Sequence, residues 1–117
     1  MVSTLKAREL LAALPDVTEK PHFNLSSFRV NNKIFSTLWE ADKKLMVKLS
    51  LVEQSIFCSI DPKNIYPVPG GWGKQGATFI KLAQVKKDVV IHALQCAWKN
   101  SASKTMLKKY RSILSLK

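Results

Sequence analysis

The sequence predicts an α+β fold in which a first helix precedes an antiparallel meander of strands and further helices follow it. Three observations support this prediction. Residues 1–14 carry apolar side chains at helical spacing. Residues 28–49 contain short runs rich in β-branched and aromatic residues, separated by two turns. Residues 88–114 return to helical spacing, so helices flank the meander on both sides.

Local signals place the elements of the first half. Ser3 or Thr4 can cap a first helix, which Pro15 ends. Two β-rich runs flank Asn31-Asn32, and this pair predicts a hairpin because asparagine tolerates the positive φ of a tight turn. The remaining elements of this half are a second turn, a third strand and a short helix, predicted over residues 40–43, 45–49 and 52–60.

The second half begins with a short extended segment and then holds all four glycines. A strand is predicted over residues 78–82, and Asp88 is predicted to cap a helix that ends near Trp98. Ser101 or Ser103 opens a last helix. Its apolar positions share one face at helical spacing: Met106, Leu107, Tyr110, Ile113 and Leu114.

Length and composition indicate one domain over residues 1–117. A chain of this length with 46% hydrophobic residues can bury roughly two-thirds of its unfolded surface without disulfides or metal. No apolar run approaches the ~18 residues that cross a bilayer, and the first residues do not resemble a signal peptide. Cys58 and Cys96 are typical of small buried side chains in a reducing compartment, so we expect a cytoplasmic protein.

Positive charge is concentrated in the second half. The net charge is +11, and residues 62–117 carry eleven Lys and Arg against the single acid Asp88. A lopsided basic field attracts polyanions, so nucleic acid or an acidic protein is the expected partner. A membrane surface is a weaker candidate because the apolar face of the last helix is needed for the core.

Several segments in succession resemble the MmcQ/YjbR family. They are residues 14–17, 28–30, 33–35, 47–49, the glycine-bearing loop into Trp72, the strand 78–82 and the helix from Val89 to Trp98. The similarity covers roughly residues 5–105. It implies a frataxin-like fold with an antiparallel sheet and helices packed on one face. It also implies DNA binding, since family members are described as candidate DNA-binding proteins with a double-wing arrangement of β-loops.

The first hairpin turn is one candidate wing. Two cations and two amides surround it: Arg29, Asn31, Asn32 and Lys33. As a wing, the cations would bind phosphate oxygens while the amides reach base edges or sugars. The alternative is a solvated turn whose asparagines are present for backbone geometry. Arg29 alternates with apolar neighbours, so it points away from the face that they bury.

The glycine-rich loop over residues 69–76 is the second candidate wing. Trp72 could stack on a base while Lys74 attracts phosphate, and Lys81 on the following strand adds a cation. Alternatively, Trp72 packs onto the sheet and the glycines only permit turns, which is the role that the resemblance favours. The segment is not a nucleotide-phosphate loop, because Gln75 stands where that motif requires Ser or Thr.

The last helix, expected at about residues 103–116, is the densest cationic element. Lys104, Lys108 and Arg111 recur at i, i+4 and i+7 and share one face. That face is either simply solvated or follows a phosphate backbone. Five or six phosphate contacts would give log K a slope of about −5 against log salt.

No catalytic signature is recognisable. His92 and Cys96 lie at i and i+4 on one helix, but two such ligands do not make a metal site. We therefore expect no catalytic residues, no metal and no cofactor. The sequence predicts a monomeric, non-enzymatic protein that binds nucleic acid, mainly the backbone of duplex DNA. The alternative is a protein-interaction module whose basic face docks on an acidic partner.

Overall fold

A computed structural model describes residues 1–22 and 25–110. The elements in chain order are α1 (Thr4–Ala12), β1 (Thr18–His22), β2 (Leu25–Val30), β3 (Lys33–Trp39), β4 (Lys44–Lys48), α2 (Leu51–Ile60), β5 (Ile65–Pro67), α3 (Gly71–Lys74), β6 (Ala77–Lys81), α4 (Lys87–Ser101) and α5 (Lys104–Tyr110). The six strands form one antiparallel sheet in the order β1-β2-β3-β4-β6-β5. The α+β prediction is confirmed. No helix in the described ranges is both long and apolar enough to cross a bilayer.

Side-chain caps start the helices close to where the sequence predicts them. The Ser3 hydroxyl accepts from the backbone N–H of Lys6, and the Ser103 hydroxyl accepts from that of Met106. Ser50 opens α2 with a reciprocal capping box to Glu53. The prediction for Asp88 is wrong: Lys86 is the N-cap residue of α4, and Asp88 lies in the first turn, where a carboxylate favours the helix dipole.

Two elements were not predicted. The sequence of β1 shows no alternation of apolar and polar residues. β1 is an edge strand, and backbone pairing with β2 from Thr18↔Arg29 to His22↔Leu25 joins it to the sheet. Pro21 is tolerated there because one side of an edge strand needs no ladder donor. The short helix α3 lies inside the glycine-rich segment, where glycine disfavours a helix unless other contacts hold it.

The helices pack on one face of the sheet, as the family resemblance implies. Buried side chains of α1, α2 and α4 join those of the strands in one core, with Phe28, Leu38, Leu45, Val47 and Ile80 on the sheet side. Trp98 at the end of α4 is fully buried, and its indole Nε1 donates to the carbonyl oxygen of Pro15 at 2.8 Å. The half-buried Met106 and Leu107 pack α5 against the same core.

The opposite face of the sheet holds a second, smaller cluster. Met46, Phe79 and Val68 are buried there, with Trp39 and Tyr66 packed beside them. Strand register separates the two faces, because Met46 pairs with Phe79 while its neighbours Leu45 and Val47 belong to the core under the helices. We call this second face the open face.

Two loops lie at the same end of the sheet, which we call the loop end. Because the strands are antiparallel, the β2–β3 turn, the last residue of β4 and the β5–β6 loop all meet there. Three strand spacings separate the two loops, which places them about 14 Å apart. The fold therefore brings the two segments that the sequence singled out to one end of the sheet.

Candidate nucleic-acid interface

The tip of the first hairpin presents exposed polar side chains. Asn31 and Asn32 have φ of 54° and 60°, the left-handed conformation of a tight hairpin turn. The asparagines therefore provide the positive φ that the turn requires, in agreement with the alternative that they are present for backbone geometry. Their side chains and that of Lys33 are also exposed, so the same residues remain available to a ligand.

An open groove of about 610 Å³ lies beside this turn. It is formed where β2 and β4 end and β3 begins, next to the start of α2 and the end of α4. Its polar lining includes three cations and no acid among the described residues: Arg29, Asn32, Lys33, Lys48, Asn100 and Ser101. Lys48 was not predicted as a site residue, because it lies at the end of a strand and no local motif marks it. Only the strand register brings it next to the hairpin.

Glu53, an acid bonded to two residues that line this groove, is already engaged. Oε1 of Glu53 accepts from the backbone N–H of Ser50 at 2.9 Å and from the Asn100 amide at 2.7 Å. Burial opposes ionisation of Glu53, but the hydrogen bonds from Asn100, Ser50 and Cys96 outweigh it, so its pKa is lower than usual. The carboxylate is therefore ionised at neutral pH and ties α2 to α4 at the back of the groove.

A smaller cavity of about 220 Å³ lies on the other side of the turn. Arg29 lines both spaces, and Lys20 of β1 contributes a second cation here. Asp16 also lines this cavity, so its charge is more balanced than that of the larger groove. Arg29 donates from Nε to the Ser27 hydroxyl at 3.5 Å, which aligns the guanidinium along the strand.

Hydrogen bonds from α2 hold the second loop, between β5 and β6, in place. The Gln54 amide of α2 donates to the carbonyl oxygens of Gly73 and Ala77 and to the Thr78 hydroxyl, at 2.9, 3.2 and 3.1 Å. A Cβ on Gly73 would come within 1.8 Å of the carbonyl oxygen of Val68, so glycine is required for this close approach. The loop is thus a short, supported helix and not an extended β-loop.

Trp72 and Lys74 project from this supported loop. Trp72 is 45% exposed, so part of its indole is accessible to a ligand while the rest is covered by the protein. Lys74 is exposed in the last turn of α3. Both side chains stand at the loop end, on the far side from the first hairpin.

The other predicted cations that the structure describes do not line the larger groove. Lys81 ends β6 about 13 Å along the strand from the loop end, and it lies on the open face. Lys104 and Lys108 are exposed on α5, which begins three residues after Ser101 of the groove. Arg111 lies outside the described residues, as does the remainder of the helix predicted to residue 116.

The residues considered for catalysis or metal binding remain apart. No three His, Cys, Asp or Glu side chains form a potential metal site within the described ranges. His92 is exposed, and its ring meets the Phe57 ring edge-on at 5.8 Å between ring centroids. Burial raises the pKa of both thiols, with the charge of Glu53 adding to the effect at Cys96.

Comparisons with known proteins agree with this architecture. A solved structure of a Deinococcus radiodurans protein, assigned to the domain family DUF419, has a TM-score of 0.74 at 18% identity and covers all of this chain and 91% of that one. A histidinol-phosphate aminotransferase of Sulfurisphaera tokodaii is 43% identical over 58 residues, which are 50% of this chain but 14% of that enzyme. The chain thus spans a small part of that relative's length. A family model described as YjbR matches residues 12–100. The match covers most of the chain and confirms the resemblance in the sequence, so the chain belongs to the YjbR family.

Proposed function

We propose that this protein binds nucleic acid through the loop end of its sheet, chiefly by contacts to the phosphate backbone of duplex DNA. The observation that carries the proposal is the charge of the larger groove. Arg29, Lys33 and Lys48 converge on it, and none of its described lining residues is acidic. Phosphate contacts from lysine and arginine supply most of the affinity of non-specific DNA binding.

The arrangement of the acids supports this proposal. Arg8 pairs with both Glu19 and Glu40, and these pairs tie α1 to β1 and to the β3–β4 turn. Glu53 is engaged by Ser50 and Asn100. These three acids are thus occupied within the fold, and the excess of cations at the loop end is left to attract an external anion.

The spacing of the two loops also fits a duplex. A separation of about 14 Å is close to the ~12 Å width of the major groove, so two loops could contact phosphates on both sides of one groove. Amides of Asn31 and Asn32 at one loop and Lys74 at the other would make the outermost contacts. The exposed Trp72 would lie against sugar or base edges.

Fluorescence anisotropy with a short labelled duplex at several salt concentrations tests the proposal. We expect saturable binding with a Kd of about 10⁻⁴–10⁻⁶ M at physiological salt and a steep salt slope. The double variant Lys33→Gln/Lys48→Gln should reduce that slope by about 2, since each lost phosphate contact removes about 0.9.

The matched control is Lys63→Gln/Lys87→Gln, which removes the same charge from two exposed positions away from the groove. If both double variants weakened binding equally, the groove would not be the footprint. If the wild-type protein bound no nucleic acid at low salt but retained an acidic protein, the protein-interaction alternative would replace the proposal.

The contribution of α5 can be separated in the same assay. Lys104→Gln/Lys108→Gln removes two exposed cations from the helix that follows the groove. If α5 follows the phosphate backbone, this variant should weaken binding to all sequences alike and flatten the salt slope. Unchanged affinity would restrict the interface to the sheet and its loops.

A further inference from the structure

The open face of the sheet is strongly basic. Five cations occupy its strand positions, and none of the described strand residues on this face is acidic: Lys20, Arg29, Lys44, Lys48 and Lys81. The buried side chains of α1, α2 and α4 belong to the other face, so these helices do not cover it. Only Lys81 and Arg29 of this set were recognised from the sequence, because strand register brings the five cations together from four different strands.

Aromatic side chains lie between these cations. Phe79 stands at the centre, with its ring centroid 5.1 Å from that of Trp39 and 5.9 Å from that of Tyr66. Phe79 is buried, while Trp39 and Tyr66 are each partly buried, with a smaller part of the side chain exposed. The Trp39 indole donates from Nε1 to the Thr37 hydroxyl at 2.8 Å, which restrains the ring. Two partly exposed rings thus lie beside a buried one.

Lys44 and Lys81 face each other across neighbouring strands. Nζ of Lys44 lies 4.0 Å from the Phe79 centroid and 5.0 Å from that of Trp39, while Nζ of Lys81 lies 6.0 Å from the Tyr66 centroid. Neither lysine takes part in an ion pair within the described residues. Like charges directly opposite in a sheet destabilise it, and a bound anion between them would relieve that repulsion.

We propose that the open face binds single-stranded nucleic acid, with unpaired bases stacked on Trp39 and Tyr66 and phosphates held by Lys44 and Lys81. This inference rests on the proposed function in one respect, namely that the polyanion bound by the chain is a nucleic acid. The chemistry matches the surface, because single-strand binders combine cations that follow the backbone with aromatic rings that accept any base. Antiparallel sheets that present aromatic rings bind RNA in this way.

Other polyanions fit this surface less well. A duplex keeps its base faces inside the stack and offers only base edges, so it cannot use the two rings. An acidic protein can neutralise lysines but has no planar group in every residue to place on Trp39 and Tyr66. Arg29 and Lys48 connect the open face to the groove at the loop end, so a strand could pass from one surface to the other.

Affinity for a labelled oligothymidine of about 12 nucleotides tests the proposal. Trp39→Leu should weaken its binding about 5- to 100-fold, which is the usual loss for one stacking ring, and should leave duplex binding unchanged. Lys44→Gln/Lys81→Gln should lower the salt slope for the single strand by about 1.4, since each phosphate contact contributes about 0.7. Its matched control is Lys86→Gln/Lys87→Gln, two exposed cations at the start of α4.

Tryptophan emission provides a second readout that does not depend on a destabilising change. In a Trp72→Phe variant the remaining indoles are the partly buried Trp39 and the fully buried Trp98. Oligothymidine should quench this emission, and heparin, a polyanion without bases, should not. Equal quenching by both, or none by the oligonucleotide, would overturn base stacking.

The two proposals fail in different ways. If the duplex binds and the groove variants weaken it, while Trp39→Leu and Lys44→Gln/Lys81→Gln leave single-strand affinity unchanged, the open-face inference is wrong and the proposed function stands. If neither duplex nor single strand binds at low salt, both are wrong. Single-strand binding that depends on Trp39, without duplex binding, would support the open face alone.

Discussion

The two loops at the loop end of the sheet reach similar exposure by different means. The first, at Asn31 and Asn32, takes its shape from its own two residues, whose positive φ closes the hairpin. The second, between β5 and β6, is held by the rest of the fold, through the Gln54 amide and close approaches at Gly73 and Gly76. One loop is thus determined locally and the other by tertiary contacts.

This difference has a consequence for function. A locally determined turn can vary its side chains without disturbing the core, so the amides of the first loop are free to serve a ligand. The second loop presents Trp72 and Lys74 on a supported helix, so its geometry depends on residues far from the contact surface. Substitutions should therefore separate binding from stability at the first loop and couple them at the second.

The largest expected effect is at Gly76. Its φ is +109°, and a Cβ would come within 1.9 Å of the carbonyl oxygen of Leu49. Gly76→Ala combines a conformation that favours glycine with a clash against backbone, so we expect a loss of about 3 kcal/mol or more in urea unfolding. Gly71→Ala in the same loop is the control, since nothing lies within 4 Å of its Cβ position. Equal stability of the two variants would contradict tertiary control of this loop.

Gln54→Leu should have the next largest effect. It leaves the amide's three partners without this donor, two of them carbonyl oxygens at Gly73 and Ala77, in a buried setting. The expected cost is about 2 kcal/mol, and the emission of Trp72 should change because α3 loses its support. Ser55→Ala, on the exposed side of α2, is the matched control and should change neither quantity. A shift in stability without any change at Trp72 would mean that Gln54 stabilises the core and not the loop.

The first loop should respond differently to substitution at Asn32. Asn32→Ala places alanine at φ of +60° and should cost about 1 kcal/mol, whereas Asn32→Gly suits this turn and should leave stability unchanged or slightly higher. If the asparagine amide contacts DNA, both variants should weaken duplex binding. If only the alanine variant weakens it, the residue serves backbone geometry alone.

The sequence predicts most elements but not the two that lack a local signal. The helix caps at Ser3 and Ser103 and the Asn31-Asn32 turn are local chemistry, and they correspond to observed element ends. β1 is held by pairing to β2, and α3 is held by Gln54, which lies about 20 residues away in the chain. Neither the pairing of β1 with β2 nor the hydrogen bond from Gln54 can be recognised from the residues of β1 or α3 alone.

The candidate site was predictable only in part, for the same reason. Arg29 and Lys33 stand next to a recognisable turn, so their proximity follows from the sequence. Lys48 joins them through strand register and the packing of α4. Lys81 was grouped with the loops because charge along the chain does not reveal that β6 carries it to the other end of the sheet.

Glu53 contacts residues that support both loops, and its substitution should have the smallest effect on the free energy of unfolding. It caps the helix that carries Gln54, and it binds Asn100 behind the groove of the first loop. Because its pKa is lowered in the folded protein, its carboxylate stabilises the fold at neutral pH, and that contribution is lost as pH falls through the folded pKa. Glu53→Gln should therefore cost well under about 1 kcal/mol at neutral pH, since the carboxylate is partly solvated. Unfolding measured across acid pH should bring variant and wild type together below that pKa, while Glu9→Gln, at an exposed position of α1, serves as the control. A difference that persisted at low pH would assign the effect to side-chain packing, and the two loops would then have independent supports.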